Sequence, residues 1–128
     1  DFGRAAARID DAANYLPARL TALLMALAAY IPFRKGKSAR NLKEELRFIR
    51  RYGRMHASPN SGYPEAALAG ILDCRFGGPH HYFGEYCFKP YIGNRLRPLT
   101  TTDMQQAVTV NRRAEILMIL TGVLLYLL

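Results

Sequence analysis

The chain has 128 residues, half of them hydrophobic, and 18 Lys and Arg against 10 Asp and Glu leave it a formal net charge of +8. That length holds at most one domain, and no internal repeat or low-complexity segment divides it. The basic balance raises nucleic acid as a partner, but no reading motif accompanies it and two long apolar runs sit badly with that role, so no nucleic-acid partner is expected.

The first predicted element is an alanine-rich helix from Phe2 to Tyr15. Arg4, Arg8 and Asp11 follow one another at near one-turn spacing, and Asp10 shares a face with Asn14 at i,i+4. Asp10 and Asp11 read in two ways, as surface partners of Arg4 and Arg8 worth little energy or as site residues. Pro17 is expected to break or kink the helix near Leu16, after which Ala18 to Tyr30 continues as an apolar segment.

Leu20 to Phe33 carries no charge over 14 residues, and Ile116 to Leu128 none over 13. A membrane span takes about 20 mostly apolar residues, so both runs fall short alone. Extended back to Leu16, with Arg19 snorkelling, the first reaches about 27 Å. Buried core helices and membrane segments both fit these runs. The polar-to-apolar order of the first suits a helix entering a membrane from its wet side.

Nine of the basic residues fall between Arg34 and Arg54, against only Glu44 and Glu45. This is the pattern of a cytoplasmic flank able to meet anionic lipid, and equally of a solvated basic helix face. Pro32 to Ser38 is a predicted turn. Ala39 to Tyr52 is a predicted amphipathic helix with Leu42, Leu46 and Ile49 on one stripe, Glu44 pairing with Arg47, and Gly53 as its C-terminal cap.

Ser58-Pro59-Asn60-Ser61-Gly62 has turn composition, with Asn60 and Gly62 suited to positive φ. Pro64 then opens a short predicted helix to Leu72, with Glu65 at its positive end. Phe76 to Gly93, rich in Gly, Pro and aromatics, is expected to be an irregular loop. The last predicted helix starts at a Thr101 or Thr102 cap, has Asp103 in its first turn, and runs to Leu128. Cys74 and Cys87 form no CxxC, and His80 and His81 are adjacent, so no zinc site is expected and the thiols should be reduced in a cytoplasmic setting.

The motif set is negative for familiar machinery: no phosphate loop GxxxxGK[ST], no GxGxxG after a strand, no nucleophile elbow GxSxG. A different resemblance is dense. SPNSGYPEAALAG from Ser58, then GGP at 77–79 and KPYIG at 89–93, together with the opening FGRAAARIDDAANYLPARLTALL, resembles the CobD/CbiB family of cobalamin biosynthesis, the adenosylcobinamide-phosphate synthases. Several blocks in order cover nearly the whole chain.

The resemblance implies an all-α integral membrane protein with a long Gly/Pro-rich irregular loop. Residues 1–128 would be the C-terminal portion of a single domain, because the family is about twice this length or more, and the missing N-terminal half would add further membrane helices. Residues 1–33 would enter the membrane, 39–53 form the basic amphipathic helix, 56–98 the polar site loop with its helix at 64–72, and 101–128 a second membrane helix. The expected setting is a bacterial or archaeal inner membrane, crossed several times, with the site loops cytoplasmic. Lipid and other cobalamin-assembly membrane proteins are the expected neighbours.

The implied reaction joins aminopropanol, or its phosphate, to a propionate of the corrinoid adenosylcobyric acid at the expense of ATP. A carboxylate is a poor electrophile, so an acyl phosphate attacked by the free amine is expected, with ATP and Mg²⁺ required and no tightly bound cofactor. Such chemistry needs a base, cations for phosphate, and carboxylates for the metal ion. The candidates are Asp11, His56, Glu65 and Lys89 for catalysis, with His56 acting as a base or orienting one. Arg8, Asn14, Arg19, Ser58, Asn60, Gly62 and Tyr82 are candidates for binding, and Asp10, Asp11 and Glu65 for Mg²⁺. Ser58, Asn60 and the Gly62 amide could form an anion nest, with the Glu65 and Ala66 amides beyond it. The aromatics from Tyr82 to Tyr91 suit either a flat corrinoid or adenine, or an interfacial belt. The competing function is a membrane binding or transport subunit for an anionic substrate, with the same loop as its gate.

Overall fold

Capping chemistry, helix periodicity and tight-turn glycines set six elements in a computed structural model that describes residues 2–31 and 40–128. They are α1 (Phe2–Tyr30), α2 (Leu42–Tyr52), α3 (Gly62–Leu72), β1 (Phe76–Tyr82), β2 (Glu85–Ile92) and α4 (Thr101–Leu127). The expected turn at Pro32 to Ser38 lies outside the described residues.

α1 passes through Pro17 without ending at Leu16. The proline removes one helical hydrogen bond, a local cost of about 3 kcal/mol. Packing of the following turns offsets it: Ala22, Leu24, Met25, Ala26 and Ala28 are buried against Ile49, Ala67, Ile71, Val110 and Ala114. Arg19 also donates to the Tyr15 carbonyl at 2.7 Å. The alanines let α3 and α4 approach closely, and Ile71, 2% exposed, fills the space between them.

α2 starts at a capping box. Asn41 Oδ1 accepts the Glu44 N–H at 2.9 Å, and Glu44 Oε2 accepts the Asn41 N–H at 3.2 Å. Glu44 therefore closes the cap, and no ion pair with Arg47 occurs among the described residues. The buried face is Glu45, Phe48 and Ile49, while Leu46 is 38% exposed. The buried stripe departs from the expected Leu42, Leu46, Ile49 because Gly70 on α3 has no side chain. A Cβ there would collide with the Glu45 carboxylate, so the glycine admits an acid where apolar periodicity placed a leucine. Gly53 closes the helix in right-handed conformation with its N–H on Ile49 O at 2.8 Å.

α3 begins at Gly62, two residues before the expected Pro64, and neither Asn60 nor Gly62 adopts positive φ. Its left-handed cap is Asp73 (φ 51°), with the Cys74 N–H on Ala69 O at 3.0 Å.

The expected irregular loop over 76–93 is an antiparallel hairpin, so the fold is mostly helical rather than all-α. Tyr82 pairs with Glu85 across the two-residue turn Phe83-Gly84, both at positive φ, and a bulge separates Phe76 from Gly78. Most hairpin residues are exposed, so no apolar alternation marks the strands. A two-stranded sheet is all edge, and this tolerates Pro79 and Pro90.

α4 is capped by Thr100, one residue before the expected position. Thr100 Oγ1 accepts the Asp103 N–H at 3.2 Å, and Asp103 Oδ2 accepts the Thr100 N–H at 2.7 Å. Arg97 clamps the same carboxylate with two bonds of 2.7 Å and also donates to Leu72 O at 2.5 Å, tying the start of α4 to the end of α3. Val110 and Ala114 pack on α1, and from Ile119 onward the side chains are exposed.

Among the described residues one helix, Gly3–Tyr30, is long and apolar enough to cross a membrane; α4 does not meet that measure. Arg112, Arg113 and Glu115 interrupt α4, and the uncharged run that follows within the helix is roughly 18 Å long against about 30 Å of hydrocarbon.

Candidate functional site

Residues of the Ser58–Pro64 turn and its neighbours in sequence contribute to two clefts. The first, of 310 Å³, is lined by Asp10, Asp11, Asn14, Ser58, Asn60 and Ser61, with Pro17, Thr21 and Pro64. The second, of 380 Å³, is lined by His56, Glu65, Lys89 and His80, with Leu68, Phe76 and Pro90. The sequence candidates fall largely into these two groups.

The first cleft is fixed by Asn60, which is 6% exposed. Its Nδ2 donates to Asp11 O at 2.9 Å, and its Oδ1 accepts from Arg19 Nη1 at 3.1 Å. Arg19 lies between two rings, its Cζ 3.4 Å from the Tyr15 centroid and 4.2 Å from that of Tyr63. Such cation–π contacts hold the guanidinium in place. Arg19 therefore joins α1 to the turn and does not snorkel outward. Asn14 Nδ2 donates to Asp10 Oδ1 at 3.0 Å, as the i,i+4 spacing required. Ser58 Oγ accepts from the Asn60 and Ser61 amides at 3.4 Å each. The Glu65 amide donates to Ser61 O. Those amides are engaged within the turn. Gly62 is there for close approach, since a Cβ would meet the Gly53 carbonyl and, at 2.8 Å, His56 Cβ.

The second cleft is organised by His56. Its Nδ1 accepts the Ser58 N–H at 2.9 Å, so in the neutral ring the proton resides on Nε2, which stands 3.9 Å from Glu65 Oε1. At that distance the ring and the Glu65 carboxylate face one another without a hydrogen bond. Lys89 reaches the cleft from β2 and donates to Tyr82 Oη at 3.3 Å. Tyr82 lines neither cleft. Arg8 is exposed and lines neither cleft.

Glu65 lines the second cleft and Asp10 and Asp11 the first, and among the described residues no group of three or more His, Cys, Asp or Glu is placed to hold a metal ion. Two neighbouring carboxylates do suit Mg²⁺, which takes the rest of its shell from phosphate and water. Asp10 and Asp11 both line the first cleft, where Asp10 Oδ1 accepts from Asn14.

Sequence reasoning missed Tyr15 and Tyr63 around Arg19, and the part of Arg97. The T-x-x-D pattern at Thr100 to Asp103 was the available signal for the cap. Around α3, Arg40 and Arg95 bind the Asp73 carboxylate at 3.2 and 2.6 Å. Burial works to raise that carboxyl's pKa, but the hydrogen bond from Arg95 and the charge of Arg40 outweigh it and hold it below its usual range. Both cysteines are free, and burial pushes the Cys74 thiol up to about 11.

Fold and clefts together define a mostly helical protein with two clefts lined by residues in and beside a polar turn. The family model described as CobD/Cbib protein matches residues 1–111, and the chain belongs to this family. It is 48% identical over 119 residues to a cobalamin biosynthesis protein CobD of Geobacter metallireducens, covering 93% of this chain and 36% of that protein. It is 40% identical over 127 residues to the CobD of Photorhabdus laumondii, covering 99% of this chain and 38% of the relative. The CbiB of Salmonella arizonae is 39% identical over 107 residues, 84% of this chain and 32% of its own length. The chain thus spans about a third of the length of these relatives. No solved structure matches it.

Proposed function

We propose that this chain is part of a membrane-bound ATP-dependent ligase that forms the amide between aminopropanol, or its phosphate, and a propionate of adenosylcobyric acid. The observation that carries the reading is the pairing of family membership with two clefts, one lined by Ser58, Asn60, Ser61 and Pro64 of the turn and the other by His56 and Glu65 on either side of it in sequence, which collect most of the polar residues of the family-like blocks. An amine and an acid held together in the second cleft, beside Glu65 and Lys89, would gain the proximity that an amide ligation needs.

In this reading Glu65 takes the proton from the attacking ammonium group, with His56 Nε2 orienting the carboxylate and Ser58 fixing the imidazole through Nδ1. Lys89 neutralises negative charge on the acid substrate as it is activated. Asp10 and Asp11 would hold Mg²⁺, which supplies charge neutralisation of the nucleotide's phosphates when bound. Asn60 and Arg19 position the turn. The exposed side of the apolar half of α1, with Leu23 and Leu27, and the exposed end of α4 would face lipid or further helices of the protein at its relatives' length, in a bacterial or archaeal membrane with both clefts cytoplasmic.

The test uses the protein at the length of its relatives, in detergent or lipid, with adenosylcobyric acid, aminopropanol phosphate, ATP and Mg²⁺. Mass spectrometry should show a corrinoid gaining the amide mass only with ATP present. A folded, inserted protein that yields no such product would overturn the ligase reading.

A further inference from the structure

We propose that a third cleft, between α2 and the chain after β2, binds a phosphate group carried on a carbon skeleton. It has a volume of 250 Å³ and lies apart from the clefts beside the Ser58–Pro64 turn. Three arginines line it, Arg40, Arg47 and Arg51, against one acid, Glu44.

The acid is engaged, since Glu44 Oε2 accepts the Asn41 N–H in the capping box. Arg47 and Arg51 stand one turn apart on α2, where like charges repel. Neither makes an ion pair among the described residues, although Asp73 nearby draws in Arg40 and Arg95. Arg40 is held in place by its bonds to Gly70 O at 2.7 Å and to Asp73, and lies 4.5 Å over the Phe48 ring. The cleft therefore keeps a fixed guanidinium beside two without counter-ions. Guanidinium groups match phosphate oxygens in pairs.

The rest of the lining suits what a phosphate would carry. Phe48 and Tyr52, with ring centroids 4.5 Å apart, give an apolar wall for the attached carbon chain. Asn94 supplies an amide from the facing segment. Its place is set by Gly93 at φ 102°, where a Cβ would strike the Cys74 carbonyl, so only glycine brings the chain back here. A free phosphate ester and a phospholipid headgroup share this chemistry. The inference does not depend on the ligase reading, which uses the other two clefts.

Native mass spectrometry of the intact protein from detergent tests it, with glycerol 3-phosphate in one arm and phosphatidylglycerol in the other. An adduct in the first arm assigns a free ester, and one only in the second assigns a lipid headgroup. Arg47→Gln with Arg51→Gln should lower the bound fraction about tenfold, the loss expected for two charge-assisted contacts. Lys43→Gln with Arg50→Gln removes the same charge from the same helix outside the cleft and should leave binding within about twofold. No adduct in either arm, or an equal fall in both double variants, overturns the proposal. Should the first double variant fail to fold, the unmodified protein can be treated with phenylglyoxal. Protection of Arg47 and Arg51 by the bound ligand supports the site, and unchanged labelling sinks it.

Discussion

Arg19 and Asn60, 41 positions apart, meet at 3.1 Å, and through this contact the N-terminal helix holds the polar turn. Asn60 also donates, from Nδ2 to Asp11 O at 2.9 Å. Asn60→Ala should strand both partners in a nearly buried site and cost about 2 kcal/mol. Asn60→Asp keeps the acceptor for Arg19 but has no donor for Asp11, so it should recover only part of that loss. Thermal melts of the three proteins decide it. Equal stability for Asn60 and alanine would mean that the turn is held by other contacts.

Asp103 and Arg97 give the fold an acid-sensitive joint. The bonds from Arg97 lower the Asp103 pKa, burial opposes them, and Thr100 adds to the lowering, so the carboxyl titrates well below its ordinary 3.8. An acid depressed in the folded state stabilises fully above its unfolded value, and that stability is lost as pH falls through the folded one. The protein should therefore hold this contribution at neutral and mildly acid pH and lose it progressively below about pH 4. Asp103→Asn should cost about 3 kcal/mol at pH 7 and flatten the acid limb of the stability curve. Asp73, shifted the same way, leaves a residual slope. Parallel acid limbs for both proteins would refute the assignment.

The two cysteines should separate by reactivity. Cys74 is 1% exposed with its thiol at about 11, whereas Cys87 is exposed on β2. At pH 8 a thiol reagent should add once to the folded protein, at Cys87, and twice after denaturation, because the thiolate is the nucleophile. Rapid labelling of Cys74 in the folded state would show that the junction of α3 and β1 opens.

Gly70→Ala tests how α2 seats on α3. The new methyl group would meet the Glu45 carboxylate, 2% exposed, and overpacking of this kind costs about 1–3 kcal/mol. Gly3→Ala meets nothing and serves as the control. Urea melts that move alike for both would contradict the close approach.

Glu65 and His56 have distinct expected kinetics in the full-length ligase assay. Glu65→Gln removes the proposed base and should lower kcat by about 10²-fold or more. His56→Gln should cost less, since it disturbs orientation only. A larger loss at His56 than at Glu65 would reverse the roles.

Much of the site was legible because its residues sit close together in sequence: Asp10 with Asn14 is a helix-spacing relation, and Ser58 to Gly62 announces a turn. The division of those candidates between two clefts was not legible, because His56 is drawn to Glu65 and Asn60 to Asp11 by packing of α3 on α1. The hairpin escaped for another reason. Its exposed strands carry no apolar alternation, and its prolines argue against a strand in any sheet with an interior position.

The sequence by itself determined the family, the four helical stretches and the basic character of α2, all consequences of local periodicity, capping patterns and ordered motif blocks. The tertiary structure decided which faces are buried, that Arg19 holds a turn, and that Arg97 closes on Asp103. Those outcomes depend on close approach at Gly53, Gly62 and Gly70 and on hydrogen bonds between distant segments, such as Asn60 to Asp11, 49 positions apart. Such contacts form only when helices are already packed, so no local pattern encodes them.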